Sequence, residues 1–416
     1  MIVVDPLATA SGLIDQGNLV QADIILTAYD QASADNRSED EDRELIFLRA
    51  RILAGRGQHG DAEDIFRTIL AHRPDLVRVR LELALVLFLQ KKDGPAEREF
   101  QFVAAGDLPD MVRARIRRFL AEIVARKIWR FRVGFSLAPD SNINTATSSE
   151  VVDIFGLSFT LDEEARAKSG VGFVLSGGLD FTPVLSRRSR FTLSLDGQRT
   201  EYGSKDFDDT IISVSLGPKF LIGERNHIVG FGFTAFRRWF GTSGFHYGFG
   251  GELTGSIRLS ARVKLDTKLA VQRLRFDSFT ARNGTLFSFN TVLQYALSQN
   301  SALQGRFGII REQANLKSQR NTAFRLALTY LRELPYGLTF SGGPEFTYRP
   351  FGDAPTVFGD RRIDYRYAFQ VSLSKRDIEV MGFSPQIQYL FAQNKSSITL
   401  FEYSRHRVRF GLFRDF

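Results

Sequence analysis

The sequence predicts an α-helical repeat domain followed by a transmembrane β-barrel of about fourteen antiparallel strands. Three observations carry this. A 34-residue repeat runs through the first third of the chain. The apolar period changes from helical to two residues at Trp129. Beyond that point, long alternating segments are joined by links that alternate between short and long.

From residue 8 to 126 the apolar residues recur at helical spacing. Ala50, Leu53, Ala62 and Phe66 return 34 residues later as Ala84, Leu87, Ala96 and Phe100. This is the tetratricopeptide period, in which small residues let paired helices approach and an aromatic fills the gap between units. Ala50, Ala62, Phe66, Ala84, Ala96 and Phe100 are therefore the expected packing positions of a helical domain over residues 1–126. Gly57 and Pro74 sit where the repeat turns and ends, and QGNLVQADIILTAY around Ala22 reads as a weaker, displaced first unit. Arg49 and Arg80 depart from the repeat, which usually has apolar or aromatic residues there. A plain helical bundle is the alternative; the repeat reading adds a concave groove suited to a polypeptide. The last helix, DMVRARIRRFLAEIVARK, clusters Arg113, Arg115, Arg117 and Arg118. No zinc-finger spacing or aromatic-rich stretch accompanies them, so they read as a solvated face and not as a nucleic-acid site.

Residues 129–416 alternate. In FTLSLDG (191–197) Phe191, Leu193 and Leu195 oppose Thr192, Ser194 and Asp196. In DYRYAFQVSLS (364–374) Tyr365, Tyr367, Phe369 and Val371 oppose Arg366, Ala368, Gln370 and Ser372. Many such segments run about 12–15 residues, against about 5–6 for soluble strands and about 9–11 for a tilted membrane-spanning one. Closure into a barrel also removes the edges that so large a sheet would expose. Short links such as IGERNH (222–227), LSAR (259–262) and SQNS (298–301) alternate with long ones at 138–169, 276–284, 314–321 and 349–362. The short GTSG (241–244) is the exception among the latter. In an even-stranded barrel both termini lie on one side, the periplasm, and the long links lie outside. The final RHRVRFGLFRDF (405–416) turns Val408, Phe410 and Leu412 to lipid, and Arg407 and Arg409 to the lumen.

Composition narrows the rest. Net charge is +8 with a pI near 9.7, which admits nucleic acid, acidic lipid or an acidic protein partner. The chain has no cysteine, which removes disulfides, thiol catalysis and cysteine metal sites together. No apolar run is long enough for a transmembrane helix. MIVVDPLATASG lacks the basic and apolar regions of a signal peptide, so a secreted barrel requires Met1 to begin a trimmed form.

The helical repeats, the switch near residue 129 and the stretch GFSLAPDSNINTAT together resemble the surface lipoprotein assembly modulator (Slam) family. PDSNIN (Pro139, Asp140, Ser141, Asn142, Ile143 and Asn144), just after the first strand, is the most telling match, with further echoes in SKRDIEVMGFSPQIQY (374–389). The resemblance covers nearly the whole chain. It implies a periplasmic tetratricopeptide domain, a fourteen-stranded outer-membrane barrel, and delivery of a lipoprotein to the surface or secretion of a soluble client, without nucleotide. The terminal aromatic Phe416 is similar to the C-terminal signal read by the barrel-assembly machinery, although Arg414 departs from that pattern.

Little points to chemistry. The five histidines are scattered without metal-ligand spacing, and GxSxG, HExxH and P-loop motifs are absent, so neither an enzyme, a cofactor nor a metal is expected. Asp140, Asn142 and Asn144 offer oxygens for calcium, but the glycine and late glutamate of an EF-hand-like loop do not follow. Side-chain-to-backbone turns are the favoured reading. The leading functional expectation is a protein-translocation conduit. Its helical domain receives a client, or a periplasmic chaperone carrying one, and its barrel, embedded in outer-membrane lipid, guides the client outward. Arg306, Arg366, Arg407 and Arg409 are candidate lumen residues. Either they hold a passing polar chain, or they pair with Asp196, Asp266 and Asp364 in a satisfied interior. A polysaccharide exporter and a passive porin are the rivals; the former usually has many more repeats and a sixteen-stranded pore. Loop 138–169, the longest, is expected on the outer side as a plug or client contact.

Overall fold

The computed structural model describes residues 5–415 except 34–35, 105, 107, 127, 155–156, 224–226, 299, 376–377 and 379–382. The chain forms two compact units. One comprises Met1–Arg126 with the short segments Ser298–Asn300 and Glu333–Leu338, and the other the remaining residues.

The first unit holds seven helices: α1 (Pro6–Asp15), α2 (Leu19–Ser33), α3 (Glu39–Gly55), α4 (His59–His72), α5 (Val77–Leu89), α6 (Asp93–Ala104) and α7 (Asp110–Arg126). Their starts follow ordinary capping chemistry. Asp5 accepts from the Leu7 N–H ahead of Pro6, and Ser38 and Glu41 form a reciprocal capping box at α3. Helices pack in consecutive pairs, α1 with α2, α3 with α4 and α5 with α6. Ala50, Ala62, Phe66, Ala84, Ala96 and Phe100 are all fully buried. Phe66 meets Phe47 at 5.8 Å between ring centroids, and Phe100 stacks on Phe119 at 5.2 Å.

All three pairs turn the same way. The first helix of each ends in a left-handed residue, Gly17 (φ +82°), Gly57 (φ +81°) or Lys91 (φ +59°). The next N–H reaches back across the last turn: Asn18 to Leu13 O at 2.8 Å, Gln58 to Leu53 O at 3.0 Å, and Lys92 to Leu87 O at 2.9 Å. These are Schellman caps. Counting from the turn residue, the fifth and ninth positions are Ala22 and Leu26, Ala62 and Phe66, and Ala96 and Phe100, all fully buried. The first pair is thus built like the other two, and its wider spacing from the second lies mainly in α3, which has 17 residues against 13 in α5.

Arg49 and Arg80, the two departures from the repeat, are both paired. Arg49 reaches Asp30 at 2.7 Å, and buried Arg80 reaches Glu99 at 2.6 Å. Glu63 on α4 accepts from Lys92 at 2.6 Å and from Gln90 at 2.9 Å. Burial pushes its carboxyl up, but the bonds from Lys92 and Arg67 prevail and hold it below the ordinary carboxylate range.

The second unit is a closed barrel of fourteen antiparallel strands: β1 (Trp129–Asp140), β2 (Gly170–Phe181), β3 (Ser189–Glu201), β4 (Asp209–Ile222), β5 (His227–Phe240), β6 (Ser243–Arg258), β7 (Val263–Phe276), β8 (Gly284–Ser298), β9 (Ser301–Ala314), β10 (Asn321–Glu333), β11 (Leu338–Pro350), β12 (Ile363–Lys375), β13 (Ser384–Ser396) and β14 (Tyr403–Asp415). Each strand pairs with its neighbours in sequence, and β1 pairs with both β2 and β14, which completes the ring. Burial is inverted relative to a soluble sheet. Phe131, Val133, Phe231, Phe249, Phe369 and Phe410 are exposed, whereas Ser136, Thr192, Thr234, Gln272, Ser372 and Asn394 are buried. An apolar band outside and a polar interior is the pattern of a membrane barrel.

Links at the end holding the termini are short, from 299–300 up to 376–383. At the other end they reach 141–169 and 351–362, with 241–242 again the short exception. Within the longest link, Val151–Ile154 pairs with Leu157–Thr160, burying Val152 and leaving Leu157 and Phe159 exposed. Phe416 lies outside the described residues.

Lys91 carries a side chain in a conformation where its equivalents are glycine. Lys91→Gly is expected to stabilise the first unit by about 0.5–1 kcal/mol, the steric cost of a left-handed non-glycine residue outweighing the added chain entropy. Hydrogen exchange of α5 and α6 amides in the intact protein checks this, and faster exchange in the variant would contradict it.

Candidate functional site: the barrel interior and its seam

The inward faces of the strands carry charge, and most of it is neutralised locally. Arg132 on β1 binds Asp180 on β2 and, at 2.8 Å, Asp196 on β3. Lys268 on β7 meets Glu252 on β6 at 2.6 Å. Arg366 on β12 binds Glu345 on β11, and Arg306 on β9 donates to Thr329 Oγ1 on β10 at 2.8 Å. The carboxylates expected to pair with the lumen arginines have other partners: Asp196 has Arg132, Asp266 has Lys264 at 3.0 Å, and Asp364 has Arg362 at 2.7 Å. Lys264 and Arg362 each lie two residues from their acid, and Arg132 reaches Asp196 across β2. Arg407 and Arg409 face inward on β14, while His406 and Phe410 are exposed on its other face.

The sixfold motif PDSNIN sits where β1 ends and the barrel closes. Along the seam, Leu137 opposes Phe410 and Asp140 opposes Arg407, with no paired position between them. Pro139 has no N–H to offer there. Gly134 admits the ring of Phe413, which a Cβ would meet at 2.4 Å. Immediately beyond the gap the motif takes over. Arg405 Nε donates to both oxygens of Asp140, at 3.0 and 2.9 Å, and its Nη2 adds a further bond. Ser141 N–H donates to His406 O at 2.9 Å, and His406 N–H donates to Ser141 Oγ at 2.8 Å. Asn142 Nδ2 donates to Ser404 O at 3.1 Å. Three consecutive motif residues thus grip three consecutive residues of the last strand.

The same residues shape the loop that follows. Asn142 N–H donates to Asp140 Oδ1 at 3.0 Å, and Asn142 also bridges Ala146 through both ends of its amide. Asn144 Oδ1 accepts from Lys168 N–H at 3.0 Å, and its Nδ2 donates to Arg166 O at 2.8 Å. Ile143 N–H donates to Lys168 O at 2.7 Å. Thr145 turns the chain with φ +51°. Both ends of the 141–169 loop are therefore fastened together over the seam. The three oxygens that suggested calcium accept from Arg405 or from backbone N–H groups, which is the turn chemistry expected from Asp and Asn.

Arg405 is the residue that sequence reasoning missed. It shares the inward parity of Arg407 and Arg409, but its partner lies 265 residues earlier. Only closure of the barrel brings the two together.

Residues 129–416, the whole barrel, match the surface lipoprotein assembly modifier family. The chain belongs to this family. Surface lipoprotein assembly modifier 1 of Haemophilus influenzae is 22% identical over 89% of this chain and 77% of its own length. The hemophilin secretion modulator of Acinetobacter baumannii is 19% identical over 89% of this chain and 79% of its own. Among solved structures, a FadL homologue from Pseudomonas aeruginosa superposes with a TM-score of 0.40 at 9% identity, covering 69% of this chain and 90% of that one. Barrel and family together locate this chain in the outer membrane.

The Asp140–Arg405 pair makes the seam testable. The Asp140 side chain is fully buried and that of Arg405 is 16% exposed. Removing one partner leaves an uncompensated buried charge, so Asp140→Ala and Arg405→Ala are each expected to cost about 3–5 kcal/mol. The double variant should cost clearly less than their sum. Thermal unfolding followed by gel mobility measures this, and strict additivity would count against the latch.

Proposed function

We propose that this assembly modifier is a translocator. Its helical unit lies in the periplasm and receives a client, or a chaperone carrying one, and its barrel guides that client outward across the outer membrane. The client is a surface lipoprotein or a secreted protein, as the names of its relatives indicate for them. The observation that carries the reading is the joining of a polar-lined barrel to a helical unit with a complete core of its own. A diffusion pore does not require such a unit. Built from three like hairpins, the unit has the construction of a tetratricopeptide scaffold, whose stacked pairs offer a groove to a polypeptide. Val20 and Ile24 stand one turn apart on α2, both well exposed, and offer apolar contact away from the core.

In the barrel, inward Arg306, Arg366, Arg407 and Arg409 provide polar contacts along the path. The seam latch keeps β1 and β14 together while the loop it anchors stays in place at the outer mouth. Phe416 serves as the aromatic signal for the barrel-assembly machinery.

The two units should perform separable steps. Barrel strands satisfy their backbone groups among themselves. A chain beginning at Lys127 behind a signal peptide is therefore expected to insert at near-normal abundance, while surface delivery of the client falls sharply. The readout is client exposed on intact cells, normalised to folded barrel by heat-modifiable gel mobility. Unchanged delivery per folded barrel would remove the helical unit from the receiving step.

A further inference from the structure

We propose that Arg407 and Arg409 form an anion-binding site inside the barrel that takes the carboxylates of an acidic polypeptide stretch. The choice of a polypeptide rests on the translocator reading; the anion site itself rests on charge. Asp140 is the carboxylate that acts on this part of β14, and it faces three arginines, Arg405, Arg407 and Arg409. Arg405 takes it in a forked interaction through Nε and Nη2. Two guanidiniums are thereby left without an ion pair among the described residues, and Arg409 Nε is buried with no hydrogen-bond partner.

Several other inward cations do have acids close by, although Arg306 has only Thr329 Oγ1. Arg132, Lys268 and Arg366 each sit on an acid, and Lys219 and Arg349, which have no direct ion pair, each have two carboxylates in their surroundings. Register sets Asp140, which Arg405 holds, opposite Arg407 on β1, and the other residues beside the two arginines are uncharged. Gln388 opposes Arg409 and Leu390 opposes Arg407 on β13, and Ser136 and Ala138 face inward on β1. Both arginines are half-buried. A cavity of about 580 Å³ lies farther along β14, lined by Arg132, Ser176, Asp196, Gln198, Phe413 and Arg414 among others. Side chains spaced by two residues on one strand present a pair of forked donors along the strand direction. That suits successive carboxylates of an extended chain. The pair faces the interior and not the lipid band, which favours a polypeptide over a lipid headgroup.

The test uses the full chain in detergent micelles and a fluorescein-labelled deca-glutamate peptide, followed by fluorescence anisotropy. Binding is expected for the native chain, weakened roughly tenfold or more in Arg407→Gln/Arg409→Gln and largely kept in Arg407→Lys/Arg409→Lys. A labelled deca-lysine peptide should not bind. Heat-modifiable mobility confirms that each variant is folded, and Arg409→Gln alone serves if the double variant is not. No binding by the native chain, or equal binding by the glutamine variants, would overturn the site. Displacement of the peptide by lipid A but not by unlabelled deca-glutamate would assign the anion to a phosphorylated lipid and overturn the polypeptide. In cells, loss of binding with normal client delivery would overturn the site's role in transport and leave the translocator reading standing. Intact binding in a chain that delivers no client would overturn that reading alone.

Discussion

Inside a bilayer no water is available to an unpaired N–H or C=O, so the first and last strands of this sheet must find each other. Everything else in the second unit depends on that meeting of β1 and β14. It is also the pairing with the greatest loop-closure cost, since its partners come from opposite ends of the barrel sequence. The seam is imperfect where it matters, because Pro139 cannot donate and the register leaves residues 138 and 139 unpaired with β14. The motif directly after the gap supplies what the ladder lacks. A buried ion pair, a reciprocal backbone and hydroxyl exchange, and an asparagine amide each reach one residue of the last strand.

Closure decides where charge goes. A ring with lipid outside sends its arginines, lysines and carboxylates inward, where low accessibility makes unpaired charge costly. Arg132, Lys268 and Arg366 answer with ion pairs to the adjacent strand, and each of those cations is committed. The seam differs because the acid opposite Arg407 is spent on holding the barrel shut. The structural demand at Asp140 thus frees Arg407 and Arg409, and the latch and the candidate anion site are two consequences of one shortage of carboxylates.

Much of this was legible beforehand. Two-residue alternation over long segments gave the lipid and lumen faces, and the 34-residue spacing picked out Ala50, Ala62, Phe66, Ala84, Ala96 and Phe100, which are fully buried. Both signals are local, since they depend only on the period of a strand or a helix pair. The tertiary pairings were not legible. Pairing of the lumen arginines with Asp196, Asp266 and Asp364, one of the two readings open from the sequence, rests on charge alone, whereas those acids are held by Arg132, Lys264 and Arg362. Arg405 went unnoticed for the same reason. PDSNIN was readable as turn chemistry and as a family mark, but its grip on β14 needs the ring to be closed before it has meaning. The equivalence of Lys91 to Gly57 was hidden because lysine carries no signal for a left-handed turn.

Seam register is the quantity on which this account stands, and the cysteine-free chain allows it to be measured cleanly. Leu137 and Phe410 are directly opposed across β1 and β14. Leu137→Cys/Phe410→Cys, expressed in cells and separated without reductant, should form an intramolecular disulfide efficiently, whereas Leu137→Cys/Leu412→Cys should form little. Efficient linkage of the second pair and not the first would mean a slipped seam, and with it a different partner for Asp140. Linkage of neither pair in folded barrel would contradict closure through these two strands.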